Sequence, residues 1–66
     1  QGDLDIKLKE FAITEEHPWR GYHIRDIKIP EDTVVVSILR RGISIIPKGS
    51  TLVQKGDLVT VCEKRI

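Results

Sequence analysis

Two adjacent arginines, Arg40 and Arg41, carry the clearest chemistry in this sequence. They follow an apolar, β-branched segment and precede Gly42, which is typical of a strand that passes into a tight turn. A guanidinium group can hold a phosphate through two parallel hydrogen bonds. The patch Ile45-Ile46-Pro47 lies just downstream and offers a flat apolar wall to a purine base. Together these residues predict a ligand-binding site for a dinucleotide.

A second interpretation of the same residues stays open. The arginines could be solvated residues at the end of a strand, and the isoleucines could belong to the core. Strand alternation points Ile43, Ile45 and Pro47 to one side and Ile46 to the other. One of the two sets should therefore be core, and the pattern does not decide which.

Catalytic and metal chemistry find little support. Glu15, Glu16, His17 and His23 match no strong metal-ligand spacing, so we interpret them as solvated turn residues and predict no metal site. No nucleophile-elbow or phosphate-binding glycine pattern is present. We therefore predict a protein that is not an enzyme, with no catalytic residues and no cofactor beyond a possible effector ligand.

Composition narrows the class of protein further. The chain has 66 residues, with 11 Lys+Arg against 10 Asp+Glu and three aromatics other than histidine, which is unlike a nucleic-acid binder. No apolar run approaches the roughly 18 residues of a membrane span. Cys62 is the only cysteine, so no disulfide within the chain supports the small core. We expect one cytoplasmic domain over residues 1–66, cut from a larger protein.

The hydrophobic pattern predicts a small α+β fold with a mostly antiparallel sheet. Leu4, Ile6 and Leu8 alternate in a strand over residues 3–9, and Phe11 and Ile13 then change phase, which predicts a β-bulge near Lys9-Glu10. A short helix is expected over residues 20–27. A doubly buried strand over 33–39, a hairpin turn at Arg41-Gly42, a return strand over 43–46 and a last strand over 58–62 follow.

Smaller features of the loops predict local structure. Lys48-Gly49-Ser50 and Lys55-Gly56-Asp57 are expected to be turns, with Asp57 accepting from backbone amides two residues on. Thr51 is expected to tie its own loop, and Trp19 and Tyr22 to anchor the helix. Cys62 should be a small apolar filler, and Glu63-Lys64-Arg65 the frayed end of the last strand.

The sheet has more apolar surface than this chain can cover, which predicts a dimer. The central strands are apolar on both faces, but one short helix can cover only one of them. The other face then needs a second copy or another part of the parent protein.

The segment from His17 to Val61 resembles the RCK C-terminal domain, also called the TrkA-C domain. The ordered set that carries the resemblance is Pro18, Gly21, Ile29-Pro30, Val34 to Leu39, Arg40-Arg41-Gly42, Ile45-Ile46-Pro47, Gly49-Ser50-Thr51-Leu52 and Gly56-Asp57. The sequence departs from the family at His17, where a small residue such as serine is usual, and at Tyr22-His23, which replaces Lys-Ser or Lys-Thr.

The resemblance implies a regulatory function. It implies a domain that forms homodimers through its sheet, is attached to a membrane transport protein for potassium or other ions, and binds a small nucleotide effector in the dimer cleft. Cyclic di-AMP is then the leading effector, with Arg40, Arg41, Ile45, Ile46 and Pro47 as its contacts. A dimerisation module without any ligand is the alternative, and a nucleic-acid binder is disfavoured by the charge.

Overall fold

The computed structural model describes residues 5–64 and shows one antiparallel sheet with almost no helix. Its strands, β1 to β4, lie side by side in the order β1-β4-β2-β3. Within residues 5–64, the helical content is a single 3-10 turn at Ile24–Asp26. The strands are β1 (Ile6–Ala12), β2 (Thr33–Arg40), β3 (Ile43–Ile45) and β4 (Leu58–Lys64). Leu4 and Arg65, on which two of the predictions fall, lie outside the described residues. The predicted frayed end is wrong for Glu63 and Lys64, which are the last residues of β4 and pair with β1.

The hairpin between β2 and β3 confirms the predicted turn. Arg41 and Gly42 both have positive φ, 52° and 78°, as a two-residue turn of the primed type requires. The pairs Ile38–Ile45 and Arg40–Ile43 continue from it as an antiparallel ladder. A glycine at the second position removes the steric cost of that backbone conformation.

The hydrophobic core lies on one face of the sheet. It consists of five side chains that are at most 3% exposed, and it includes residues from β2 and β4 and from the loops that cross the face: Ile13, Ile38, Val53, Val59 and Val61. Half-buried side chains pack around them, namely Phe11, Trp19, Ile24, Ile27, Val35 and Ile45. The cover over this core therefore comes from the segments 13–32 and 46–57.

The predicted helix over residues 20–27 is wrong, apart from its last turn. Gly21 has a φ of 86°, outside the helical region. Several amides of this segment bond to the loop 46–57 instead of to a preceding turn: Gly21 and Ile24 donate to Val53 and Thr51, at 2.8 and 3.0 Å. Because each amide has one donor, these bonds between segments replace the helical ones.

The predicted bulge in the first strand is also wrong. β1 pairs with β4 without a register shift from Ile6 to Ala12. The change of phase has another cause, since the apolar residues switch faces: Ile6 and Leu8 are 48% and 66% exposed, whereas Ile13 is buried. The register shift of this sheet lies in β2, between Val35 and Ser37.

The second face of the sheet is open in the single chain. Three rows cross β1, β4 and β2: Leu8-Cys62-Val34, then Glu10-Thr60-Ser37, then Ala12-Leu58-Leu39. Val34 is 61% exposed and Leu39 is 39% exposed, so β2 is not buried on both faces within one chain. The open face, defined by these three rows, is thus two apolar bands separated by a polar row.

Candidate functional site

Arg40 lies in a bidentate ion pair with Asp57. Its Nε donates to Asp57 Oδ1 and its Nη2 donates to Asp57 Oδ2, both at 2.8 Å. The same Nη2 donates to the backbone carbonyl of Leu52 at 2.8 Å. The antiparallel register brings the two side chains together. Leu39 lies opposite Leu58, so Arg40, one residue further along β2, lies opposite Asp57, which directly precedes β4. Arg40 therefore fastens the loop 46–57 to the end of the sheet.

Asp57 is a buried acceptor whose oxygens are both satisfied. Its side chain is 1% exposed, and Oδ2 also accepts from the backbone N–H of Gln54 at 2.9 Å. This amide lies three residues before Asp57, not two residues after it as the sequence suggested. The hydrogen bond from Arg40 lowers the pKa of the Asp57 carboxyl, and burial opposes that shift. The pKa of Arg40 is raised mainly by the same hydrogen bond.

Arg41 differs from Arg40 in every respect that concerns a ligand. It is exposed at the tip of the hairpin, and no acidic side chain among residues 5–64 forms an ion pair with it. Its guanidinium can bind an anion without first leaving a protein partner. The two arginines that the sequence treated alike thus have different environments.

The apolar residues after the hairpin turn also differ in burial. Ile45 is half-buried and packs against the core, and Pro47 is half-buried as well. Ile46 is 79% exposed on the other side of the chain. The structure thereby resolves the alternation, since Ile45 belongs to the core side and Ile46 to the solvent side. Ile43, which shares the parity of Ile45, is nevertheless 67% exposed because it lies beyond the core at the hairpin tip.

Two shallow hollows lie elsewhere on the surface, away from the five predicted ligand contacts, which are Arg40, Arg41, Ile45, Ile46 and Pro47. One, of about 410 Å³, is lined by Pro18, Trp19, Tyr22, Asp26, Ile27 and Lys28. The other, of about 260 Å³, lies on the open face and is lined by Asp5, Ile6, Asp32, Val34, Cys62 and Lys64. At the hairpin, Arg41 and Ile46 are exposed, so a ligand bound to them in one chain stays open to solvent on one side.

Two of the four residues considered as metal ligands, Glu15 and His17, have hydrogen-bond partners within the protein. Glu15 accepts from Arg20 at 2.9 Å and lies 3.0 Å from Lys55, and the hydrogen bond from Lys55 is the main cause of its lowered pKa. His17 accepts a backbone N–H through Nδ1. Across residues 5–64, no three or more His, Cys, Asp or Glu side chains are grouped as a metal site.

Several predicted loop contacts are confirmed. Thr51 ties its loop, since its Oγ1 accepts from the Lys48 N–H at 2.9 Å and its own N–H donates to the Lys48 carbonyl. The prediction that Trp19 and Tyr22 anchor a helix is wrong, because no helix spans residues 20–27: Trp19 packs against the core, and Tyr22 is 55% exposed. Cys62 is half-buried on the open face.

The fold and site define a class of protein: a small antiparallel sheet domain with one covered face, one apolar open face and an exposed cationic hairpin. The chain belongs to the TrkA-C domain family, whose model matches residues 8–65. The resemblance inferred from the ordered motifs is thereby confirmed.

Related proteins carry potassium uptake in their names. The chain is 32% identical over 59 residues to a "Trk system potassium uptake protein trkA homolog 1" of Methanosarcina mazei, covering 89% of this chain and 14% of the relative. The same figures hold for the TrkA homolog of Archaeoglobus fulgidus. TrkA of Mycobacterium tuberculosis is 32% identical over 50 residues, covering 76% and 23%. The chain therefore spans less than a quarter of the length of these relatives. No helix within residues 5–64 has the length and apolar character needed to cross a membrane.

Proposed function

We propose that this chain is a regulatory domain of a potassium transport protein, which pairs through its open face and binds a small effector at its hairpin. The open face is the observation that carries the proposal. It leaves Leu8, Val34 and Leu39 in solvent, whereas residues 5–64 contribute five buried apolar side chains to the core. A second copy laid on that face removes this apolar surface from water. Membership of the TrkA-C family supports the link to potassium transport.

The effector site in this proposal centres on Arg41. A second copy encloses a ligand that the exposed hairpin of one chain leaves open to solvent. Exposed Ile46 offers the apolar contact for a base. Cyclic di-AMP, with two phosphates and two purines, matches a site repeated across a twofold axis and is the leading candidate. The ligand controls transport only if it binds one arrangement of the two domains more tightly than another. The membrane transport domain of the parent protein is the further partner, and the domain works in the cytoplasm without catalysing a reaction.

The alternative is a dimerisation module without a ligand. One observation favours it: Arg40 already donates three hydrogen bonds to Asp57 and Leu52, so a ligand at Arg40 would have to share a guanidinium that the fold already uses. The open face explains self-association equally well in both proposals. A ligand titration separates them.

Substituting Val34 by lysine should weaken the dimer about a hundredfold. Val34 lies on β2, a central strand of the open face, where a dimer interface buries the added charge. A hundredfold corresponds to about 2.8 kcal/mol, which is a partial desolvation cost because Asp5 and Asp32 line the same hollow. Sedimentation equilibrium over a wide range of protein concentration measures the dissociation constant. Tyr22→Lys is the matched control, since Tyr22 is 55% exposed but lies in the segment 13–32, which covers the opposite face of the sheet. Equal dissociation constants for the two variants contradict the proposed interface.

Arg41→Asn should weaken binding of cyclic di-AMP at least tenfold. The substitution removes a charge-assisted hydrogen bond of about 1.5–3 kcal/mol to a phosphate. Asparagine tolerates positive φ, so the hairpin turn is retained. Isothermal titration calorimetry measures the affinity, and the wild type should bind one ligand per two chains.

Lys7→Asn is the control for that titration. It removes one exposed positive charge from β1, at the edge of the sheet opposite to β3. Its affinity should match that of the wild type. Unchanged affinity in Arg41→Asn contradicts the effector site, whereas no heat from a folded wild-type dimer supports the ligand-free module. Arg40→Ala is unsuitable as a binding probe, because it also breaks the ion pair with Asp57.

A further inference from the structure

His17 makes a hydrogen bond within the segment 13–32, which covers the core. Only a neutral imidazole can make this bond. The backbone N–H of Trp19 donates to His17 Nδ1 at 3.0 Å. An acceptor nitrogen of imidazole carries no proton, so this bond needs the form of the ring that has its hydrogen on Nε2. Protonation of Nδ1 sets two N–H groups against each other and removes the bond. Imidazole is the side chain whose charge ordinarily changes between pH 5 and 8.

The ring of His17 is also part of the packing. It stacks on Phe11 with ring centroids 5.2 Å apart and an interplanar angle of 3°. Trp19 meets both rings edge-on, at 5.2 Å from Phe11 and 5.7 Å from His17. Trp19 in turn packs against the buried core and lines the hollow of about 410 Å³. A change at His17 therefore reaches both the core cover and that surface hollow.

The charged groups around His17 leave its ring without a salt bridge. Within residues 5–64, no carboxylate oxygen lies within 4.0 Å of a His17 ring nitrogen. On the neighbouring elements, Lys9 of β1 pairs with Glu63, and Glu15 pairs with Arg20 and Lys55. Two further charged side chains are close in sequence: Glu10 of β1, next to Phe11, and Glu16, in the turn that contains His17. No ion pair with these groups replaces the lost bond when the imidazolium forms.

We infer that His17 is a pH-sensitive hydrogen-bond acceptor, which releases the Trp19 segment from the core cover when it is protonated. The released stretch is short, since the backbone carbonyl of His17 still accepts from Arg20 and Gly21 still donates to Val53. The change is thus a local rearrangement of residues 17–19 and not unfolding of the sheet. This inference is independent of the dimer and of any effector.

Nuclear magnetic resonance of the wild-type chain tests the inference directly. The Trp19 amide and the His17 ring proton should shift together, with one midpoint, as the pH falls from 8 to 5. Protection of the Trp19 amide from hydrogen exchange, corrected for the intrinsic rate, should fall about fivefold, as expected for one hydrogen bond. Trp19 is the only tryptophan, so its fluorescence should follow the same curve. A Trp19 amide that does not move with the His17 ring overturns the inference.

Two variants separate His17 from other titrating groups. His17→Asn keeps a side-chain acceptor for the amide two residues on and does not titrate, so the Trp19 signals should become independent of pH in this range. His23→Asn removes the other imidazole, which lies 4.0 Å from Asp26, and should leave the transition in place. A transition that survives in His17→Asn, or disappears in His23→Asn, contradicts the assignment to His17.

Discussion

Replacing Asp57 by alanine should lower the free energy of unfolding by about 3 kcal/mol. Removing one partner of a buried ion pair typically costs 3–5 kcal/mol, because the other charge is left uncompensated. The lower end of that range applies here, since the Arg40 side chain is 25% exposed and water can solvate part of its charge. The Gln54 N–H loses its acceptor in the same variant. For a domain of this size, such a loss corresponds to a fall in melting temperature of roughly 10–20 °C.

Thermal and urea unfolding followed by circular dichroism measure this effect. Asp32→Ala is the matched control, because Asp32 is exposed and its carboxylate accepts only from the neighbouring Thr33 hydroxyl. It should cost less than about 0.5 kcal/mol. A double-mutant cycle with Arg40→Ala should give a large coupling energy, since the two side chains share their bonds. A loss below 1 kcal/mol in Asp57→Ala contradicts a clamp at this position.

The same pair sets the response to acid. The folded-state pKa of Asp57 is lowered, so its contribution to stability is fully present above the unfolded pKa of about 4. This contribution is lost as the pH falls through the lower folded-state value. The wild type should therefore lose stability below about pH 4 more steeply than Asp57→Ala, which lacks the group.

Truncating Ile38 to alanine should cost about 3–4 kcal/mol. Ile38 is 0% exposed in a central strand, where it lies opposite Val59 on one side and Ile45 on the other. Removing three buried carbons loses their transfer free energy and leaves a cavity, which together cost 2–5 kcal/mol in protein cores. The neighbouring strands hold the cavity open, because their backbones are fixed by the ladder.

Chemical unfolding at fixed protein concentration measures the loss in Ile38→Ala. Ile43→Ala is the control, since it removes the same atoms from a side chain that is 67% exposed, and it should cost less than about 1 kcal/mol. Repeating both at a tenfold higher concentration separates core packing from self-association, because dimer stability depends on concentration. Similar losses for the two variants contradict the core assigned to the covered face.

The effector proposal depends on the outcome for Arg40 and Asp57. A pair that stabilises the fold leaves Arg40 as a positioning residue for the hairpin, and Arg41 then supplies the contact to phosphate. A pair that contributes little leaves Arg40 available to a ligand as well. The unfolding measurements should therefore precede the titrations.

Elements governed by neighbouring residues could be predicted from the sequence. The hairpin follows from a β-branched run and from Arg41-Gly42, whose positive φ values are a local property of the chain. The loop tied by Thr51 and the turn at Gly56 are local in the same sense. Membership of the TrkA-C family could also be predicted, from the order and spacing of short motifs along the chain.

The face of each strand and the partner of each charge depended on long-range pairing. The segment 20–27 has helical spacing, yet its amides bond to residues 49–53, a competition that no local pattern shows. Asp57 meets Arg40 across 17 positions of sequence because β2 and β4 are paired in one register. Local backbone preferences therefore determined the strands and turns, whereas the register of the sheet decided that Arg40 is held by a buried carboxylate and Arg41 is left in solvent.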